Sequence, residues 1–154
     1  MNKMMKVLLL LALLITPAAL LADDLSTIIE YSGIEKSLVD TNRAFIQDAY
    51  QSNPNLAEKS ELVERYFSDN VAFSNFKPEL EKLLNESFNT AELGVISGAL
   101  SKSDNRSELL QFYGTELGQR WLNVDSQFND IVLLGAVTKI MDPEHGLASF
   151  LQQQ

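Results

Sequence analysis

His145 is the only histidine of the 154-residue chain, and it stands beside Glu144 and three residues after Asp142. An imidazole flanked by carboxylates has the makings of a general base or of one metal ligand. Nothing in the sequence completes either. There is no cysteine and no second histidine, so a nitrogen–sulfur metal site cannot be assembled and thiol chemistry is excluded. No Gly-x-Ser-x-Gly turn presents a serine nucleophile. His145 therefore reads as an exposed residue of a short terminal segment. Paired carboxylates alone suffice for glycoside hydrolysis, and the chain has 21 acids. They are scattered along helical patterns, often near Lys or Arg, as on a solvated surface. Asp69-Asn70 and Asp104-Asn105 offer oxygens but lack the calcium-loop spacing, and read as helix breaks and caps. No phosphate loop or dinucleotide fingerprint occurs. The sequence assigns no catalytic residue, no metal and no cofactor.

The binding candidates are apolar. Phe112, Tyr113 and Trp121 are spaced to line a ligand cleft, although aromatics at helical spacing equally make plain core. Leu147, Phe150 and Leu151 give a short terminal helix an apolar side; so short a helix must dock on the domain or on a partner. Docking is expected, near the Asp142-Pro143 turn. Gly94 and Gly98, and again Gly114 and Gly118, are four apart. Such pairs either admit a close helix crossing, which the aromatics then seal, or weaken the helix that carries them.

The elements that must position these residues are helical throughout. No segment alternates with the period of a strand, and apolar residues recur at three and four. The organising stretch is 105–141, whose second half, 128–141, is apolar almost all round apart from Asp130 and Lys139. A helix apolar on every side is a buried helix, and the others are expected to wrap it. It either runs unbroken past Trp121 or breaks at Asn123 and Asp125. Upstream, a short helix ends at Ser32-Gly33. Ile34, Leu38, Thr41, Phe45 and Ala49 form the inward stripe of the next, which stops before Pro54. A third is expected over 56–67. A fourth starts near Ser74 or Lys77, because Pro78 is tolerated only in a first turn. Asn89 with Glu92, and Asn105 with Glu108, have capping-box spacing. Asp142 as N-cap and Pro143 at the first position are expected to open the last helix.

The N-terminus reads as an address. Lys3 and Lys6 precede an apolar run over 7–15, then Pro17 and the small residues Ala18, Ala19 and Ala22. This is the layout of a secretory signal peptide over 1–22, with cleavage after Ala22 or, alternatively, after Ala19. The run is short for a membrane span, and no stable span is expected after cleavage. The formal net charge is −9, and removing the leader takes away two lysines and no acid. Such a surface repels nucleic acid and anionic headgroups.

The run 108–120, Glu-Leu-Leu-Gln-Phe-Tyr-Gly-Thr-Glu-Leu-Gly-Gln-Arg, resembles the signature helix of a widespread family of small exported bacterial proteins. That helix reads roughly E-L-…-F-Y-x-S/T-x-x-G-x-K/R, and the family is catalogued only as a domain of unknown function. The matching positions are Glu108, Leu109, Phe112, Tyr113, Thr115, Gly118 and Arg120. Two features depart from the pattern. A Phe-Thr-Glu-Glu-like start usually lies directly before the Phe-Tyr, whereas the similar Phe88-Asn89-Thr90-Ala91-Glu92-Leu93 lies well upstream here. Glu116 stands where a proline is common. The resemblance covers 88–121 and implies an all-helical fold and export. It implies no activity.

The expectation is one all-α domain over 23–154, with 151–154 a loose tail: a compact bundle or array of five to seven helices around the C-terminal-half helix. The expected role is non-enzymatic, in the periplasm, by binding an unknown protein partner or a second copy of itself. The alternatives are a carrier of a small apolar ligand or lipid between helices, and a carboxylate-dependent hydrolase of envelope polymers.

Overall fold

The computed structural model describes residues 17–153. Most of the expected leader, 1–16, lies outside the described residues. Within them every regular element is a helix and no strand occurs. Helix α1, Pro17–Ser32, runs through the expected cleavage junction and buries Leu25, Ile28 and Ile29. Gly33 ends it at φ 72°, a left-handed conformation that glycine adopts without a Cβ penalty. Helix α2, Ile34–Ser52, then buries Ile34 and Leu38. Further along the expected stripe, Phe45 and Ala49 are half-buried and Thr41 is exposed. The second half of α2 is therefore only partly covered, contrary to the regular inward face its spacing predicts.

The helix expected over 56–67 is two elements: a 3-10 helix, Pro54–Lys59, and α3, Ser60–Asn70. Asn53 caps the first, its side chain accepting from the Asn55 amide at 3.3 Å. After a 3-10 turn, Phe73–Asn75, helix α4 spans Lys77–Ser87 with Pro78 in its first turn, as expected. Helix α5, Thr90–Leu100, opens with the capping box of Asn89 and Glu92, both bonds at 3.0 Å. It packs on α1.

The organising stretch breaks, but neither at Asn123 nor at Asp125. Helix α6, Arg106–Tyr113, stops at Gly114, and α7, Glu116–Asn129, starts behind Thr115. The Thr115 hydroxyl donates to the Phe112 carbonyl at 2.7 Å and accepts from the Gly118 amide at 3.0 Å. One side chain thus ends one helix and caps the next. A Cβ on Gly118 would overlap the Phe112 carbonyl, so only glycine admits this corner.

From α7 the helix continues through a π turn, Asp130–Leu134, into α8, Gly135–Met141. Phe128, Val132, Ala136 and Ile140 are buried along it, each four residues after the last. Four residues overshoot a 3.6-residue turn by about 40°, so a plain α-helix would rotate this stripe off the core. The wider π turn absorbs that drift. The C-terminal-half helix is central on this face alone: Leu134 is 60 %, Val137 42 % and Met141 68 % exposed. Its all-round apolarity overstates its burial.

Asp142 does not cap the last helix. Its carboxylate accepts from the Glu144 and His145 amides at 2.8 and 2.7 Å, closing a turn, and Gly146 precedes α9, Leu147–Gln152. Gly146 sits so close under the Ile140 and Asp142 carbonyls that no side chain fits. Helix α9 docks on α3 and α8, with Leu147 and Leu151 buried. No helix among the described residues is long and apolar enough to cross a membrane.

Candidate functional site

The residues singled out as a ligand or partner surface lie mostly inside. Trp121 is 1 % exposed and meets Phe128 edge-on, ring centroids 5.8 Å apart. Phe112, Leu147 and Leu151 are buried, while Tyr113 and Phe150 are half-buried. Phe150 lies 5.5 Å from the Tyr66 ring and under the Arg65 guanidinium. These six side chains are core and docking contacts, so reading them as an open surface is corrected.

The motif residues build the α6–α7 corner. Asn105 caps α6, accepting from the Glu108 amide at 3.4 Å and donating to its carboxylate at 2.7 Å. Leu109 packs half-buried against the core. Thr115 and Gly118 make the corner itself. Arg120 reaches back to the α4–α5 junction, donating to the Glu92 carboxylate at 2.7 Å and to the Ser87 carbonyl at 2.8 Å while lying over the Phe88 ring. These bonds, with that from the Asn89 amide, hold the Glu92 carboxyl below its usual range.

The titratable groups form no catalytic set. The His145 ring is exposed, its Nδ1 3.6 Å from Asp142. The His145 and Glu144 amides hold Asp142 below its ordinary pKa. Asp125 is pushed up by burial, with no acidic neighbour contributing. Among the described residues no three His, Cys, Asp or Glu gather in a way that could hold a metal ion.

The glycine face of α5 does not make a crossing. A Cβ on Gly98 would meet nothing within 4 Å, and one on Gly94 only the Asp24 carboxylate. These glycines instead floor an open trough between α5 and α6, about 670 Å³, walled by Phe112, Glu108 and Thr115.

Two apolar features escape the sequence reading. One is the exposed stripe Leu134, Val137 and Met141. Its signal was present: a run apolar all round carries more apolar side chains than one buried stripe uses. The other is a groove of about 510 Å³ between α2, α3 and the segment after α3, walled by Leu38, Ile46, Phe67, Val71 and Phe73. Asn42 and Tyr50 also line it. The Asn42 amide nitrogen donates to the Val71 carbonyl at 3.4 Å, while its Oδ1 and the Tyr50 hydroxyl are buried with no hydrogen-bond partner. Burial, and then the Glu64 charge, push the Tyr50 phenol up, so it stays protonated. The sequence placed Asn42 only as a flank of the α2 stripe. The chain matches no known protein family, no curated protein and no solved structure.

Proposed function

We propose that this is an exported, non-enzymatic protein of the bacterial periplasm that works by binding another protein. The observation that carries the reading is the stripe of Leu134, Val137 and Met141, exposed by 60, 42 and 68 %. Single exposed apolar side chains are ordinary. Three at spacings of three and four share one helix face, the pattern by which helices recognise helices. The occupant is an apolar helix face of a partner, in which we include a second copy of this chain. The leader-like N-terminus and the resemblance of 108–120 to exported helical proteins support the address. The acidic surface supports a protein partner over nucleic acid.

In-cell crosslinking tests this. A photoreactive residue at position 134 or 141 is expected to give one discrete adduct, its mass separating a second copy from a different partner. The same probe at the exposed positions 61 and 79 serves as control. Equal labelling from all four positions, or no adduct from 134 and 141, overturns the proposal.

A further inference from the structure

The α2–α3 groove is a separate place, and its polar atoms say what belongs in it. A buried acceptor and a buried phenol without partners each cost stability, and native structures keep few of them. Here both line one apolar groove: Asn42 Oδ1 needs a donor, and the Tyr50 hydroxyl has a proton to give. The volume, about 510 Å³, lies in the range of small-molecule sites. We infer that the groove binds a single-chain neutral lipid of the monoacylglycerol type, its acyl chain along the apolar walls and its head between Asn42 and Tyr50.

The head is fixed by hydrogen-bonding chemistry. A glycerol hydroxyl donates to Asn42 Oδ1, and an ester oxygen accepts from the Tyr50 phenol. Asn42 and Tyr50 stand about 12 Å of helix rise apart. Long side chains on helices lean toward the N-terminus, which shortens that span to the length of an ester-linked glycerol. Charge selects against the ionic relatives. A carboxylate head would face the lone pairs of Asn42 Oδ1 in a protein of formal net charge −9. The one cation on the groove, Arg43, already pairs with Asp40 at 3.2 Å. A quaternary ammonium head would find no carboxylate among the described lining residues.

The test titrates the full mature protein with monolaurin below its aggregation concentration, beside laurate and dodecyltrimethylammonium, by calorimetry and two-dimensional NMR. Monolaurin is expected to bind one-to-one, with shifts confined to 38–50 and 67–73, and the two ionic amphiphiles at least tenfold more weakly. Tyr50→Phe is expected to weaken monolaurin about five- to tenfold, the loss of one hydrogen bond. It should leave the melting temperature of the free protein unchanged or higher, because the hydroxyl has no partner to lose. Ile46→Trp fills the groove and is expected to abolish binding, with helicity checked by circular dichroism. The proposal is overturned by failure of monolaurin to saturate, by equal affinity for all three heads, or by a Tyr50→Phe protein that melts earlier yet binds as before. A dimer whose dissociation constant changes with Tyr50→Phe also overturns it, since a second copy would then be the occupant.

Discussion

The Tyr66 hydroxyl donates to the Lys139 carbonyl at 2.7 Å, joining α3 to the last turn of α8 across 73 residues of sequence. Carbonyls in a last turn have no intrahelical partner, so a side chain from another helix completes this one. Tyr66 is itself buried, and its hydroxyl also approaches the His145 carbonyl at 3.4 Å. Tyr66→Phe keeps the ring and removes the bond. It should cost about 1–2 kcal/mol, the value of a lost buried hydrogen bond, and lower the melting temperature by a few degrees. An unchanged melting temperature would mean that water replaces the phenol.

The same corner holds the C-terminal helix. Phe150 packs on Tyr66 under Arg65, and Lys59 donates to the Leu151 carbonyl at 3.3 Å. Phe150→Ala removes a half-buried aromatic, so the loss should be about 2 kcal/mol, below the value for a fully buried phenylalanine. Truncation after Asp142 should cost more and expose the amides of α8 to hydrogen exchange. Wild-type stability in the truncated chain would show that α9 contributes nothing to the fold.

Two glycines separate space from conformation. Gly98→Ala adds a methyl to open space in a helix interior and should stabilise by about 0.4–1 kcal/mol. Gly118→Ala drives a Cβ into the Phe112 backbone, and should cost about 1–3 kcal/mol as the α6–α7 corner opens. Urea midpoints of the two variants, moving in opposite directions, check the pair. The same sign for both would contradict the geometry of the corner.

What the sequence shows and hides follows from the range of each interaction. Pro78 in a first turn, the Asn89–Glu92 capping box and the stop at Gly33 are local, and their residue types carry them. The break at Gly114-Thr115 is hidden, because Tyr113, Leu117 and Trp121 keep helical spacing straight across it. There a threonine cap outweighs periodicity. The π turn shows only as four-residue steps from Phe128 to Ile140. The orphaned Asn42 Oδ1 has no sequence signature, since it depends on where Val71 comes to rest against α2.

Arg120 tests whether the family-like motif is a clamp. Its guanidinium holds the Glu92 carboxylate, the Ser87 carbonyl and the Phe88 ring together. Arg120→Lys keeps the charge but loses the planar fork, so it should still lower the melting temperature. Glu92, depressed below its ordinary 4.5, favours the fold above that pH, and the contribution is lost as pH falls through its lower folded value. The Arg120 variant should therefore lose less stability on acidification than the wild type. Parallel acid limbs would show that the pair contributes nothing to pH dependence.

Asp125 should act in the opposite sense. It sits half-buried on α7, and burial pushes its carboxyl above the ordinary 3.8. Its charge in turn contributes, after burial, to raising Tyr113. An acid whose folded pKa is raised binds more protons in the folded state. Stability must then fall as pH rises from 3.8 through the raised value, and the penalty persists at neutral pH. Asp125→Asn removes the charge with little change of shape. It should melt higher than the wild type at pH 7, and the two should converge near pH 3, where Asp125 is protonated in both states. Tyr113 should also ionise at lower pH in the variant, which ultraviolet titration reads. A variant less stable at pH 7 would mean that the ionised carboxylate is held by a favourable contact, reversing the sign argued from burial.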